Sequence, residues 1–119
     1  MLKLAIPLLH VRASAQAEAF YRDRLGFTLN TAMRGPTADP CYMSVSRGGV
    51  ELHLSSMAGD GVAGGVVNVV VEDVDGLFRE LVARGCPIAL APTDQTWGSR
   101  EMYVRDPDGN SIRFQQWPG

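Results

Sequence analysis

The sequence predicts an α+β protein built from two βαβββ modules, and three observations predict it. The order strand, helix, three strands can be read from Leu2 to Ser55 and again from Val66 to Gln116. The two halves superpose at an offset near 60, which takes Ile6 to Val66, Gly49 to Gly109 and His53 to Arg113. Neither half, at about 55 residues, buries enough surface to stand alone, so the modules pack together or against a second chain. The expected organisation is one domain over residues 1–119, with modules at 1–58 and 65–117 and a linker at 56–65.

Leu2 to Val11 has strand composition, with Pro7 at an edge or hinge position. Ser14 is placed to cap a helix whose apolar positions Ala17, Phe20, Tyr21 and Leu25 recur at three- and four-residue spacing, and Gly26 ends it. Phe27 to Met33 reads as a strand and Gly35 to Pro40 as a loop, followed by a hairpin of Cys41 to Ser46 and Val50 to Ser55 about Arg47-Gly48-Gly49. Ser56 to Gly65 holds four glycines without periodicity and reads as a flexible connector. It is no phosphate loop, since no Gly-Lys-Ser/Thr follows. Val66 to Val71 is β-branched almost throughout. Asp73 or Asp75 then starts a helix with Val74, Leu77, Phe78, Leu81 and Val82 on one face, and Gly85 stops it. Pro87 to Ala91, Glu101 to Arg105 and Ser111 to Gln116 supply the last strands. The final two form a hairpin about Asp106-Pro107-Asp108-Gly109-Asn110, where Pro107 fixes φ and Gly109 or Asn110 supplies a positive φ.

Composition narrows the function classes. A chain that is 45% hydrophobic and 20% charged fits an ordinary soluble fold, and its apolar stretches are too short to span a bilayer. A net charge of −2 and the lack of a basic cluster argue against nucleic acid. The first residues superficially imitate a signal peptide, but the apolar run is short, Pro7 interrupts it, and His10 and Arg12 follow at once. Cys41 and Cys86 form no disulfide framework and are expected reduced and buried, which points to the cytoplasm. No Gly-x-Ser-x-Gly elbow, Cys-x-x-Cys pair or dinucleotide fingerprint is present.

Two segments carry a family resemblance: Phe20-Tyr21-Arg22-Asp23-Arg24-Leu25-Gly26-Phe27, and Trp97-Gly98-Ser99-Arg100-Glu101 through Asp106-Pro107-Asp108-Gly109-Asn110 to Phe114. Together they resemble the vicinal oxygen chelate superfamily of glyoxalase I, extradiol dioxygenases and bleomycin resistance proteins. The resemblance implies curved sheets around a concave groove, completed in a homodimer with exchanged modules. It also implies where a metal would sit in the metal-dependent members. Those positions fall on Ile6, Val66, Arg113, and either His53 or, with a two-residue slip, Glu51. Isoleucine and valine cannot ligate and a guanidinium repels a cation, so no metal and no other cofactor is expected. His10 has no second ligand at a recognisable spacing and reads as a hydrogen-bonded strand histidine.

Within the superfamily the chain is most similar to the bleomycin resistance branch, which binds the drug without altering it. Ala5 to Leu9 continuing through Phe20 to Phe27 runs along that branch's N-terminal pattern, and Trp97-Gly98 followed by Arg100-Glu101 and Arg105-Asp106-Pro107 matches its C-terminal hairpin with Ser99 as one extra residue. The resemblance implies that Trp97 and Tyr42 sandwich a planar ligand, with Glu51, His53 and Arg113 as further ligand-binding candidates. Bleomycin binders are strongly acidic, whereas this chain is only slightly so. Asp39, Asp60, Asp94 and Glu101 are candidates for a local acidic rim, Arg100 for a pair with an acid or carbonyl of the hairpin, and Trp117 for a dimer or edge contact. The expected protein is a cytoplasmic homodimer that binds a small planar or aromatic molecule stoichiometrically, with bleomycin-like antibiotics the leading ligand class and no nucleic-acid or membrane partner. The alternatives are a superfamily enzyme, either a metal-dependent lyase or dioxygenase with relocated ligands or an isomerase using Glu51 or His53 as base, and a domain that only oligomerises.

Overall fold

The computed structural model describes residues 1–119 and contains two four-stranded sheets, each backed by a helix. In chain order the elements are β1 (Leu8–His10), α1 (Ser14–Ala19), a π-helical turn (Phe20–Arg24), β2 (Thr28–Thr37), β3 (Asp39–Arg47), β4 (Val50–Ser55), β5 (Val66–Val70), α2 (Val74–Ala83), β6 (Leu90–Asp94), β7 (Arg100–Arg105) and β8 (Ser111–Gln116). The first sheet has the order β1-β4-β3-β2 and the second β5-β8-β7-β6, so the two modules share one topology. Their register repeats as well. Leu8 pairs with His53 in the first sheet, and the residues 60 further on, Asn68 and Arg113, pair in the second. The expected α+β architecture of two βαβββ modules is what the chain adopts.

One face of each sheet is covered. Cys41, Met43 and Val45 of β3 alternate inward with Leu52 and Leu54 of β4, and Met102 and Val104 of β7 with Ile112 and Phe114 of β8, all buried in one apolar core. The opposite faces stay open. The molecule measures 46 × 40 × 23 Å, too thin in its least dimension for two stacked sheets with a helix outside each. Its radius of gyration of 14.6 Å exceeds the roughly 13.5 Å of an average chain of this length.

The turn after β7 holds the modules together. The Tyr21 hydroxyl donates to Asp106 Oδ2 at 2.9 Å, and Asn110 Nδ2 donates to the His10 carbonyl at 2.8 Å. Asn110 Oδ1 accepts from the backbone of Gly64 and Gly65. Gly109 takes the positive φ, +80°, and Asn110 does not. At the rim, Arg12 Nε pairs with Asp108 at 2.8 Å.

Element boundaries differ from expectation where pairing overrides composition. The first strand is reduced to three residues, Leu8–His10, flanked by a bond from His53 N to the Pro7 carbonyl, and in the arm before Pro7 Leu2 and Leu4 are exposed. Gly35 to Pro40 is not a loop, since β2 runs to Thr37 and β3 starts at Asp39. The last-sheet strand expected at Pro87 to Ala91 is displaced to Leu90–Asp94. In both cases the proline, Pro36 or Pro92, falls inside a register shift on an edge strand, where a missing N–H breaks no ladder bond. Ser14 does not cap α1. It is buried, and its backbone N–H donates instead to the Asp39 carboxylate at 3.1 Å. Asp73 does cap α2, accepting from Gly76 N at 3.0 Å.

Candidate functional site

The open face of each sheet carries a connected polar network. On the first sheet, strand alternation places Tyr42, Ser44 and Ser46 of β3 beside Glu51, His53 and Ser55 of β4. The Tyr42 hydroxyl lies 2.7 Å from His53 Nδ1, and His53 Nε2 lies 2.8 Å from Glu51 Oε2. A tautomer with the proton on Nε2 satisfies the whole chain: Tyr42 donates to Nδ1 and Nε2–H donates to Glu51. Ser44 adds a second hydrogen bond to Glu51 at 3.0 Å and receives one from Asn30 at 3.1 Å. The bonds from His53 and then Ser44 hold the Glu51 carboxyl below the ordinary glutamate range. Both Glu51 and His53 therefore face the same side, so the two-residue ambiguity in their assignment does not separate them. Tyr42 and His53 meet edge to face with centroids 5.2 Å apart.

On the second sheet the centre is Glu101, a carboxylate only 2% exposed. It accepts from Trp97 Nε1 at 3.0 Å, from Tyr103 Oη at 2.7 Å and from the Ser99 hydroxyl. Burial pushes this carboxyl up, but the three donors and the neighbouring Arg113 charge outweigh burial and hold it below its ordinary value. Tyr103, in register with Arg113, lies under the guanidinium with Cζ 4.9 Å from the ring centroid. Trp97 projects from the tight Gln95–Ser99 turn, which Gly98 closes at φ +100°, and the residue is 67% exposed.

The structure thus brings Tyr42, Glu51 and His53 together on one face and Trp97 and Arg113 together on another. Ser44, Asn30, Ser99 and Tyr103, which the sequence does not single out as site residues, complete the two networks with Glu101, which it offers only as a rim acid. One signal for Tyr103 was available: counting the ladder back from the Asp106–Asn110 turn pairs it with Arg113. The acidic rim does not form. Asp39 is engaged by Ser14 and Ser56, Asp60 by Ser55, Asp94 by Arg100, and Glu101 is buried. Arg100 forks onto Asp75 with two bonds of 3.0 Å in addition to its bond to Asp94. His10 Nδ1 lies 3.3 Å from the Asp60 carbonyl, and Trp117 is exposed beside Gln115.

A divalent metal does not fit the superfamily's ligand positions here. Ile6 and Val66 offer no donor, Arg113 is cationic, and both ring nitrogens of His53 are already engaged. No group of three or more His, Cys, Asp or Glu side chains stands close enough to hold a metal ion. The largest cleft, about 630 Å³, lies elsewhere, among Leu25, Phe27, Val50, Val69 and Leu77. Among its charged groups Arg47 pairs with Glu80 at 2.6 Å and Asp73 caps the α2 backbone, while Glu72 at its edge is exposed. No helix is long and apolar enough to cross a membrane.

Comparison with known proteins follows the same lines. A bleomycin-binding protein solved with bleomycin is 25% identical, with a TM-score of 0.80, covering 98% of this chain and 100% of that one. A bleomycin resistance determinant encoded on transposon Tn5 is also 25% identical, with a TM-score of 0.81, covering 99% and 100%. A lactoylglutathione lyase from Agrobacterium tumefaciens shares the fold at 23% identity and a TM-score of 0.74, covering 96% and 92%. A search of the curated proteins matched none. The family model described as glyoxalase superfamily protein matches residues 1–118, and with the paired modules and their repeated register it shows that the chain belongs to the glyoxalase superfamily.

Proposed function

We propose that the chain binds and sequesters a planar or aromatic small molecule without transforming it. It does so as a cytoplasmic homodimer in which the Tyr42 face of one copy closes over the Trp97 face of the other. The observation that carries this reading is the state of Trp97. A tryptophan that is two-thirds exposed is normally free to move, yet this one is tethered by its Nε1 to a buried carboxylate that Ser99 and Tyr103 also hold. A ring held in place before binding loses little freedom on binding. Stacking between Trp97 and Tyr42 with the accompanying area burial is worth about 2 to 4 kcal/mol. The dimer is supported by two open polar faces and by an unpaired N-terminal arm whose Leu2 and Leu4 are exposed.

Bleomycin-type antibiotics are the first ligands to test, because two of the solved structures at 25% identity are a bleomycin-binding protein and a bleomycin resistance determinant. Titration calorimetry with metal-free and copper-loaded bleomycin should give one ligand per subunit, with the heat lost in Trp97→Ala. Wild-type protein that gives no heat at high micromolar drug removes bleomycin as the ligand.

A second reading has its own observation. The chain Tyr42–His53–Glu51 sets an imidazole between a hydroxyl and an orienting carboxylate, the arrangement a general base requires. It makes the protein a superfamily enzyme acting on a small metabolite. Lactoylglutathione formation by the purified protein, abolished in His53→Ala, would establish it in place of sequestration.

A further inference from the structure

Of the ten arginines, Arg47, Arg100 and Arg113 are half-buried. Arg47 is bonded to Glu80 and to the Leu25 carbonyl, and Arg100 forks onto Asp75. Arg113 has neither a hydrogen bond nor an ion pair, and its Nε is the one buried side-chain nitrogen or oxygen in the chain that lacks a partner. A withdrawn guanidinium donor without a partner costs the fold free energy, and the remaining N–H groups of Arg113 have no partner in the chain either, which leaves them to a group from outside it. Glu101, whose carboxylate feels the Arg113 charge, makes no hydrogen bond to it and accepts instead from Trp97, Ser99 and Tyr103. The Tyr103 ring lies against the guanidinium, with Cζ 4.9 Å from the ring centroid.

We infer that Arg113 receives an anionic group of the ligand, so that the molecule bound is a planar aromatic acid whose carboxylate engages the guanidinium while its ring stacks on Trp97. A carboxylate is the natural complement, since its two oxygens match the guanidinium fork in plane and spacing. Asn68, exposed on β5 and in register with Arg113, offers an amide to the same group. The inference rests on the open face being a ligand groove, and it favours an aromatic acid over a wholly cationic drug.

The test compares 2-naphthoate with its neutral counterpart 2-naphthamide by calorimetry on wild type, Arg113→Gln, Arg113→Lys and Trp97→Ala. Wild type is expected to prefer the acid by about tenfold or more, the strength of a charge-assisted pair. Arg113→Gln should abolish the preference, Arg113→Lys should keep part of it, and Trp97→Ala should weaken both probes equally. Equal affinity of wild type for the two probes overturns the anion assignment and leaves the groove standing. Binding of neither probe overturns the groove reading and the inference with it. An Arg113→Gln protein that falls from dimer to monomer on size exclusion also overturns the inference, because the guanidinium then serves the contact between copies.

Discussion

Glu101→Ala separates a pre-formed site from a merely polar surface. The substitution removes the acceptor of three hydrogen bonds, those from Trp97, Ser99 and Tyr103. Hydrogen bonds to a charged acceptor are worth about 1.5 to 3 kcal/mol each. Trp97 and Tyr103 are near enough to solvent to recover part of that from water, whereas Ser99 is 5% exposed and is not. The sum is a loss of about 4 kcal/mol, which at an m-value of roughly 2 kcal/mol/M lowers the urea midpoint by about 2 M. The effect on binding is distinct. Freeing one indole costs about 0.5 to 1.5 kcal/mol at the moment of binding, so affinity for a neutral aromatic such as 2-naphthamide should fall roughly 2- to 12-fold in the protein that remains folded. With Trp117→Phe as background, Trp97 is the sole tryptophan, and its fluorescence anisotropy should drop in Glu101→Ala. Unchanged anisotropy and affinity in a folded, destabilised variant would refute the claim that Glu101 holds the ring for its ligand.

Two further outcomes test the frame around the site. Asn110→Ala removes four bonds of a fully buried side chain, to Gly64, Gly65, His10 and Asp106, and should cost about 4 kcal/mol in urea unfolding at roughly 1 kcal/mol per bond. Asp108→Ala removes an ion pair to an exposed arginine together with a bond from the Arg12 backbone N–H to a carboxylate whose side chain is 4% exposed, and should cost about 1 to 2 kcal/mol, less than Asn110→Ala. Acid should also destabilise the protein through Glu51 and Glu101. Both carboxyls sit below the ordinary 4.5, so their contribution is fully present above that pH and is lost as pH falls through the depressed folded values. Urea midpoints measured on a descending pH series should fall from 4.5 downward, and less steeply in Glu51→Gln.

The parts of the fold readable in the sequence were those set by local chemistry repeated at a distance. The offset that takes His53 to Arg113 is a spacing of side chains, and the structure converts it into an identical strand register in both sheets. The Asp106–Asn110 turn was readable as a turn because each residue has a conformational reason to be there. Its second role was not. Asp106 and Asn110 bind Tyr21 and His10, some 85 and 100 residues away, and nothing local to the turn announces a partner at that separation. Edge strands misled for the same reason. Gly35 and Pro36 look like a loop until one knows that β2 has a neighbour on one side only.

The same distinction applies to the site. Tyr42, Glu51 and His53 could be placed on one face because strand alternation has a period of two and a hairpin fixes register. Glu101 looked like a rim acid because sequence shows its charge and hides its burial. Once Trp97, Ser99 and Tyr103 are seen to bond its oxygens, the charged group on that face left without a hydrogen-bond partner is Arg113. A network on the first sheet whose charge is the Glu51 carboxylate, and on the second a cation without a hydrogen-bond partner, are different surfaces, although a 60-residue repeat relates them. In the groove we propose, repetition supplies the two walls, and the departure from repetition at His53 and Arg113 gives it a direction, with one end suited to hydrogen bonds and the other to an anion.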